Sequence, residues 1–281
     1  ILRFNFYFQS KVYMPSTLWC LYSKVKTMVK FKEGVDCSSF TKVVDFLKMF
    51  SKGHQAKKSK VLSRSEIDEF LLKAPDDRYL LIKVATAFGI YGACRRHELH
   101  NLCVDDVDVE GNILVVHIRD TKNYKPRTFT VVPDGVVNCV ALYNKYISLR
   151  PKNVKCNKLF LFYRGGKCSC QPVGINTFGK FPMEIAKYLD LPDVSQYTGH
   201  CFRRSSATIL ANTGVSITAV KRLGGWKSAA IAESYIEESI ESKIKIARKI
   251  NAGKSDIEVG TSSGITFSNM SNCTFNFYQQ K

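Results

Sequence analysis

The sequence predicts a mainly α-helical protein carrying one small antiparallel β-sheet, an α+β fold. Two observations carry this. Apolar residues recur every three to four positions over most of the chain, as they do in helices with one buried face. Between Val107 and Val132 that period gives way to alternating β-branched residues interrupted by turn residues, the pattern of short paired strands. With 45% hydrophobic residues in 281, the chain has enough apolar matter for a packed core.

Taken in order, Leu18, Leu21, Val25 and Val29 share one helical face, and Val43, Phe46, Leu47 and Phe50 share another. Residues 1–53 therefore read as a small helical unit. The chain opens on Ile1 and not Met, so this unit is expected to be truncated. Residues 54–62 hold Lys57, Lys58 and Lys60 and no apolar period, which marks a basic linker. A second unit is expected over 63–252. Ser63-Arg-Ser-Glu66 ahead of Ile67, Phe70 and Leu71 is a capping box that starts a helix. Pro75 ends it, and a long apolar helix runs from about Arg78 to Tyr91.

Strands follow at Val107–Val109, Ile113–Ile118 and Thr128–Val132, separated by Glu110-Gly-Asn112 and Asn123-Tyr-Lys-Pro126. They predict a three-stranded antiparallel sheet with Lys122 in or beside its second turn. Helical character returns up to Leu149, becomes mixed, and resumes over Phe202–Leu210, Ile217–Leu223 and Ala229–Ile250. Residues 253–281 read as a flexible spacer (Gly260-Thr-Ser-Ser-Gly264) and a β-prone tail with Phe267, Phe275 and Phe277.

Charge narrows the partner. Forty-two Lys and Arg against 24 Asp and Glu leave +18, and a surplus of that size points to a polyanion. Charge alone does not separate DNA from RNA or an acidic membrane surface. No apolar run approaches the roughly 20 residues that span a bilayer. Ten cysteines are scattered, no CxxC pair occurs, and Cys168-Ser-Cys170 with Cys156 lacks zinc spacing. They read as reduced thiols of an intracellular protein, with no metal or other cofactor expected. The triplets Asn269-Met-Ser and Asn272-Cys-Thr are then chance matches to a glycosylation signal.

Three local patterns stand in one order. The first is Gly92-Ala-Cys-Arg95-Arg-His-Glu98-Leu99, the second His200-Cys-Phe-Arg203-Arg-Ser-Ser-Ala-Thr208. The third is Leu223-Gly-Gly-Trp226, with Tyr235 nine positions beyond the tryptophan. Together they resemble the tyrosine recombinases (phage integrases), whose signature runs R-x-x-E-L, H-x-L-R-H-x-x-A-T, L-G-H or G-W, then a tyrosine nine residues on. The wording of His200–Ser205 and Gly224–Ser228 is most similar to the Crypton-type recombinases of eukaryotic mobile elements. Any one motif is weak, because Arg-x-x-Glu occurs by chance in many helices; the ordered set is specific. The resemblance covers 63–250 firmly and the N-terminal segment more loosely.

What the resemblance implies is a tyrosine recombinase catalytic fold plus a helical N-terminal DNA-binding lobe, closing on double-stranded DNA from two sides. It implies six catalytic residues: Arg95, Lys122, His200, Arg203, Trp226 and Tyr235. Arg204 stands where the family usually has a second histidine, and Trp226 where it commonly has another. Lys125 competes with Lys122 for the role of the sheet-turn lysine. In that scheme Tyr235 attacks a phosphodiester and stores the bond as a phosphotyrosyl ester, so rejoining needs no ATP. Arg95 and Arg203 offer paired N–H donors to the charged oxygens, His200 handles the tyrosine proton, and Lys122 protonates the leaving 5′ oxygen. Trp226 holds the phosphate by its indole N–H. Lys57, Lys58, Lys60, Arg96, Lys125, Arg204 and Lys227 are expected on the DNA backbone. The implied product is site-specific strand exchange by a tetramer on DNA, in the nucleus, with no membrane role. Two rivals stand beside this reading: a type IB topoisomerase-like relaxing activity, which shares the chemistry, and a domesticated DNA-binding protein without catalysis.

Overall fold

A computed structural model describes residues 12–54, 57–119, 121, 125–133, 135–226, 228–238 and 240–252. The chain divides between Lys60 and Val61 into two compact units. In the first, α1 (Pro15–Glu33) and α2 (Thr41–Ser51) pack through Leu18, Tyr22, Val43 and Leu47. Trp19 Nε1 donates to Ser51 Oγ at 2.9 Å, and the Tyr22 hydroxyl donates to the Cys37 carbonyl at 3.1 Å. The buried stripe of α1 thus turns toward Tyr22, and the Val25 and Val29 named from periodicity are only half-buried.

The second unit is helix-rich with small antiparallel sheets. Its first helix, α3 (Arg64–Lys73), begins with the capping box: Ser63 Oγ accepts from Glu66 N at 3.2 Å, and Glu66 Oε2 accepts from Ser63 N at 2.6 Å. Helix α4 (Asp76–Tyr91) is the centre of the core. It starts two residues before the expected Arg78, because Pro75 is suited to the position just ahead of a helix and Asp76 and Asp77 complement the positive helix start. Leu80, Val84, Ala85 and Phe88 are fully buried, and Phe88 meets Phe129, Tyr143 and Phe160 at ring-centroid distances of 6.2, 5.8 and 5.9 Å.

After α5 (Arg96–Asn101) come β1 (Val107–Glu110), β2 (Ile113–Ile118) and β3 (Arg127–Val131), antiparallel in the order β1-β2-β3. The register pairs Leu114 with Val131, Val116 with Phe129 and Ile118 with Arg127. Alternation puts Leu114, Val116, Ile118, Phe129 and Val131 against the core. Helix α6 (Cys139–Ser148) follows. The mixed stretch beyond it forms a second hairpin, β4 (Leu161–Arg164) with β5 (Lys167–Pro172), then α7 (Ile175–Phe178) and α8 (Phe181–Tyr188).

The C-terminal helices are α9 (Cys201–Asn212), α10 (Ile217–Gly224), α11 (Ala229–Glu238) and α12 (Ile240–Ala252), the last two covering the described residues of the stretch read as helical over Ala229–Ile250. They build a small second core from Ala93, Ala207, Val220, Trp226, Ala232 and Tyr235. The expected β-prone tail lies outside the described residues, as do Lys122 and Lys227. Among the described residues no helix is long and apolar enough to cross a membrane.

Candidate active site

The site is assembled where α4 ends. Ala93 adopts a left-handed conformation, φ 44°, which costs a non-glycine residue roughly 1–2 kcal/mol. That turn aims the Ala93 carbonyl at α9 and delivers Arg95, in extended conformation, to the start of α5. Glu98 then holds Arg95 twice: its Oε2 accepts from the Arg95 backbone N at 2.9 Å and its Oε1 from Nη1 at 2.7 Å. The Glu98 side chain is fully buried. Burial alone would push its carboxyl up; the Arg127 charge and the Arg95 backbone N–H outweigh this and hold it below the usual carboxylate range.

Arg203 projects from the inner face of α9. Nη1 donates to the Ala93 carbonyl at 2.7 Å and Nη2 to the Gly224 carbonyl at 2.6 Å, so its guanidinium ties the end of α4 to the end of α10. Burial, then the neighbouring Arg95, brings its value down to about 10, which still leaves it cationic near neutral pH. The guanidinium stacks on the Trp226 ring at 4.1 Å.

Trp226 is seated by the two residues before it. Gly225 ends α10 with φ 62°, which suits glycine. A Cβ on Gly224 would lie 2.0–2.4 Å from three carbons of the indole ring, so only a bare backbone admits the tryptophan there. Across the ring, Tyr235 of α11 packs at 5.3 Å between centroids, and both rings are buried. Arg204 lies 5.7 Å from the Tyr235 ring centroid.

His200 stands at the N-cap position of α9, its side chain making no capping hydrogen bond. Partial burial, then Arg203, Arg96, Arg95 and Arg204, lowers its value below the ordinary histidine range. Arg95 lines two hollows. One, of about 290 Å³, is shared with Lys125, Gly225 and Trp226. The other, of about 430 Å³, is shared with Arg96, Thr198 and His200. Arg95 thus joins two basic hollows, one walled by the indole of Trp226 and the other by the imidazole of His200, and guanidinium donors of this kind suit an anion such as phosphate.

The structure thus brings together Arg95, His200, Arg203, Trp226 and Tyr235, with Arg96, Lys125 and Arg204 at the edges. Thr121 Oγ1 donates to the Lys125 carbonyl at 2.8 Å and accepts from its N–H at 3.1 Å. Lys57 and Lys58 are exposed and Lys60 is half-buried; all three belong to the N-terminal unit. No group of three His, Cys, Asp or Glu among the described residues could hold a metal ion.

Sequence reasoning missed Arg127. Its Nη1 donates to the carbonyls of Gly92, at 2.5 Å, and Leu223, at 3.1 Å. Its Nη2 donates to Glu98 Oε2 at 2.7 Å and lies 3.7 Å from Cys94 Sγ. A signal was present, since Arg127 has the same strand parity as the buried Phe129 and Val131 and so points inward with them.

Residues 60–241 match the phage integrase family, and the chain belongs to that family, the tyrosine recombinases. Among proteins of curated function, none matches this sequence. Solved structures share the fold at low identity. XerA recombinase superposes with a TM-score of 0.56 and 19% identity, over 85% of this chain and 84% of XerA. XerH site-specific recombinase, solved on palindromic difH substrate in a post-cleavage complex, gives 0.56 and 19% over 73% of this chain and only 58% of XerH. The Tn1549 transposon integrase in complex with circular intermediate DNA gives 0.54 and 17%, over 85% of this chain and 80% of its own.

Proposed function

We propose that this chain is a site-specific DNA recombinase, or integrase, of a mobile element, cutting and rejoining double-stranded DNA through a 3′-phosphotyrosyl intermediate. The observation that carries the reading is the packing of Trp226 against both Arg203 and Tyr235, 4.1 Å from the guanidinium carbon to the indole centroid and 5.3 Å between the tilted rings, beside Glu98-held Arg95. In this scheme the Tyr235 oxygen attacks phosphorus while the bond to the 5′ oxygen breaks. Arg95 and Arg203 stabilise charge on the non-bridging oxygens; preorganised donors of this kind lower the barrier by about 3–4 kcal/mol each. His200 takes the tyrosine proton. Lys122, or its competitor Lys125, returns one to the leaving oxygen.

Family membership and the fold shared with XerH on difH substrate and with the transposon integrase on circular intermediate DNA support DNA as the substrate. A charge of +18 supports backbone contacts that weaken with salt, through Lys57, Lys58, Lys60, Arg96, Lys125, Arg204 and Lys227. The motif wording supports a Crypton-type element, and with it a nuclear location and a tetramer on DNA.

The test is incubation with end-labelled duplexes carrying candidate element ends and a nick that traps the cleaved strand, in excess EDTA. A labelled band that stays with the protein on a denaturing gel is the expected result. Failure to form that adduct on any such duplex, with DNA still bound, contradicts the reading and favours a non-catalytic DNA-binding role.

A further inference from the structure

We infer that Arg127 is a positioning residue of this site, one that keeps the charge of Arg95 available to the phosphate. The inference rests on the function proposed above. Arg127 heads β3 and faces the core, so its guanidinium lies beneath the recess. Three features define its position.

First, the Glu98 carboxylate is divided between two arginines. Oε1 takes Arg95 Nη1 and Oε2 takes Arg127 Nη2, both at 2.7 Å. One carboxylate between two guanidiniums leaves a single surplus positive charge on the cluster. The neighbouring Cys94 thiol, pushed up to about 12 by burial, stays protonated, so Glu98 is the anion these contacts share. Without Arg127, Glu98 would pair with Arg95 alone and the pair would be neutral. A neutralised Arg95 still fills its place and still donates hydrogen bonds, but it offers far less electrostatic stabilisation to a dianionic transition state.

Second, Arg127 and Arg203 cross-link the same two chain segments. Arg203 joins the carbonyls of Ala93 and Gly224, and Arg127 joins those of Gly92 and Leu223. The segment that delivers Arg95 and the segment that delivers Trp226 are therefore tied by two arginines, Arg203 through both prongs of its fork and Arg127 through Nη1, its Nη2 going to Glu98. Third, the Arg127 stem supports the turn itself, since a Cβ on Gly225 would meet its Cδ at 3.6 Å. Lysine at 127 would keep the charge and lose the fork.

A purely structural tie and an electrostatic one give opposite results in a double substitution. Arg127→Met leaves Arg95 neutralised by Glu98, whereas Arg127→Met with Glu98→Gln restores its charge while removing yet another contact. The measurement is the single-turnover rate of covalent adduct formation on a nicked duplex, at saturating protein, with DNA affinity measured separately.

The expected pattern is a fall of about 100-fold for Arg127→Met, a recovery of about tenfold in the double variant, and affinity within about threefold throughout. Arg127→Lys should stay within about tenfold of the parent chain. A double variant slower than Arg127→Met, or an Arg127→Met rate equal to the parent's, overturns the assignment while leaving the proposed function standing. If Arg127→Met does not fold, Arg127→Lys decides: a folded lysine variant as slow as Arg95→Ala overturns it. A parent chain that binds DNA and forms no adduct overturns the function and this inference with it.

Discussion

Substituting Gly224 by alanine adds one methyl group and should disable the site. An ideal Cβ there falls 2.0, 2.3 and 2.4 Å from Cζ3, Cε3 and Cη2 of Trp226. Non-bonded carbons rest at roughly 3.5–4.0 Å, so the ring must retreat by about 1.5 Å. Its escape is blocked by the Arg203 guanidinium at 4.1 Å and the Tyr235 ring at 5.3 Å. Ala93, Ala207 and Ala232, all fully buried, close the same small core. Overpacking of this kind costs about 1–3 kcal/mol. In a body of this size each kcal/mol lowers Tm by roughly 2–4 °C, so a fall of about 2–12 °C follows. The rate should suffer more, because a displacement of about 1 Å from reacting geometry costs on the order of 100-fold. Thermal melting and single-turnover adduct formation on a nicked duplex measure the two effects. Gly224→Ala with a parental rate and Tm would refute the seating of Trp226 on Gly224 and its role in placing Tyr235.

If His200 takes the tyrosine proton as proposed, it should set the acidic limb of the pH profile. Its value lies below 6.5, so the imidazole stays neutral and able to take a proton as pH falls through 6.5, and cleavage should decline only at lower pH. An inflection at or above 6.5 that vanishes in His200→Gln contradicts this. The two candidate lysines separate by leaving group: the true general acid, replaced by alanine, is slow on normal DNA and recovers on a 5′-bridging phosphorothiolate, whose sulfur leaves without a proton. Lys122→Ala is expected to recover and Lys125→Ala is not; the reverse result assigns the role to Lys125.

Local signals in the sequence carried over well where one segment decides its own structure. The Ser63 capping box needs only four residues, and the β-branched alternation of Ile113–Ile118 needs only its neighbours. The hairpin at Leu161–Pro172 was less legible, because Lys167-Cys-Ser-Cys-Gln has little β-branched content and its pairing depends on strand β4 across the Gly165–Gly166 turn. Within the site, Arg95, His200, Arg203, Trp226 and Tyr235 were visible because each sits in a short local pattern, Arg95 with Glu98, His200 with Arg203, and Trp226 with Tyr235. Arg127 was not, because its partners Gly92, Glu98 and Leu223 lie 35, 29 and 96 residues away and only the fold brings them to it. Glu98 was read as a motif letter without a task; its burial between two guanidiniums gives it one.

Whether Tyr235 makes the covalent bond to DNA is tested by trapping the adduct on a nicked duplex, digesting the protein and the DNA, and sequencing the nucleotide-bearing peptide by mass spectrometry. The expected result is a 3′-phosphonucleotide on the Tyr235 side chain, and no adduct from Tyr235→Phe although that variant binds the duplex with parental affinity. A nucleotide attached to another residue, or an adduct that persists in Tyr235→Phe, would contradict it.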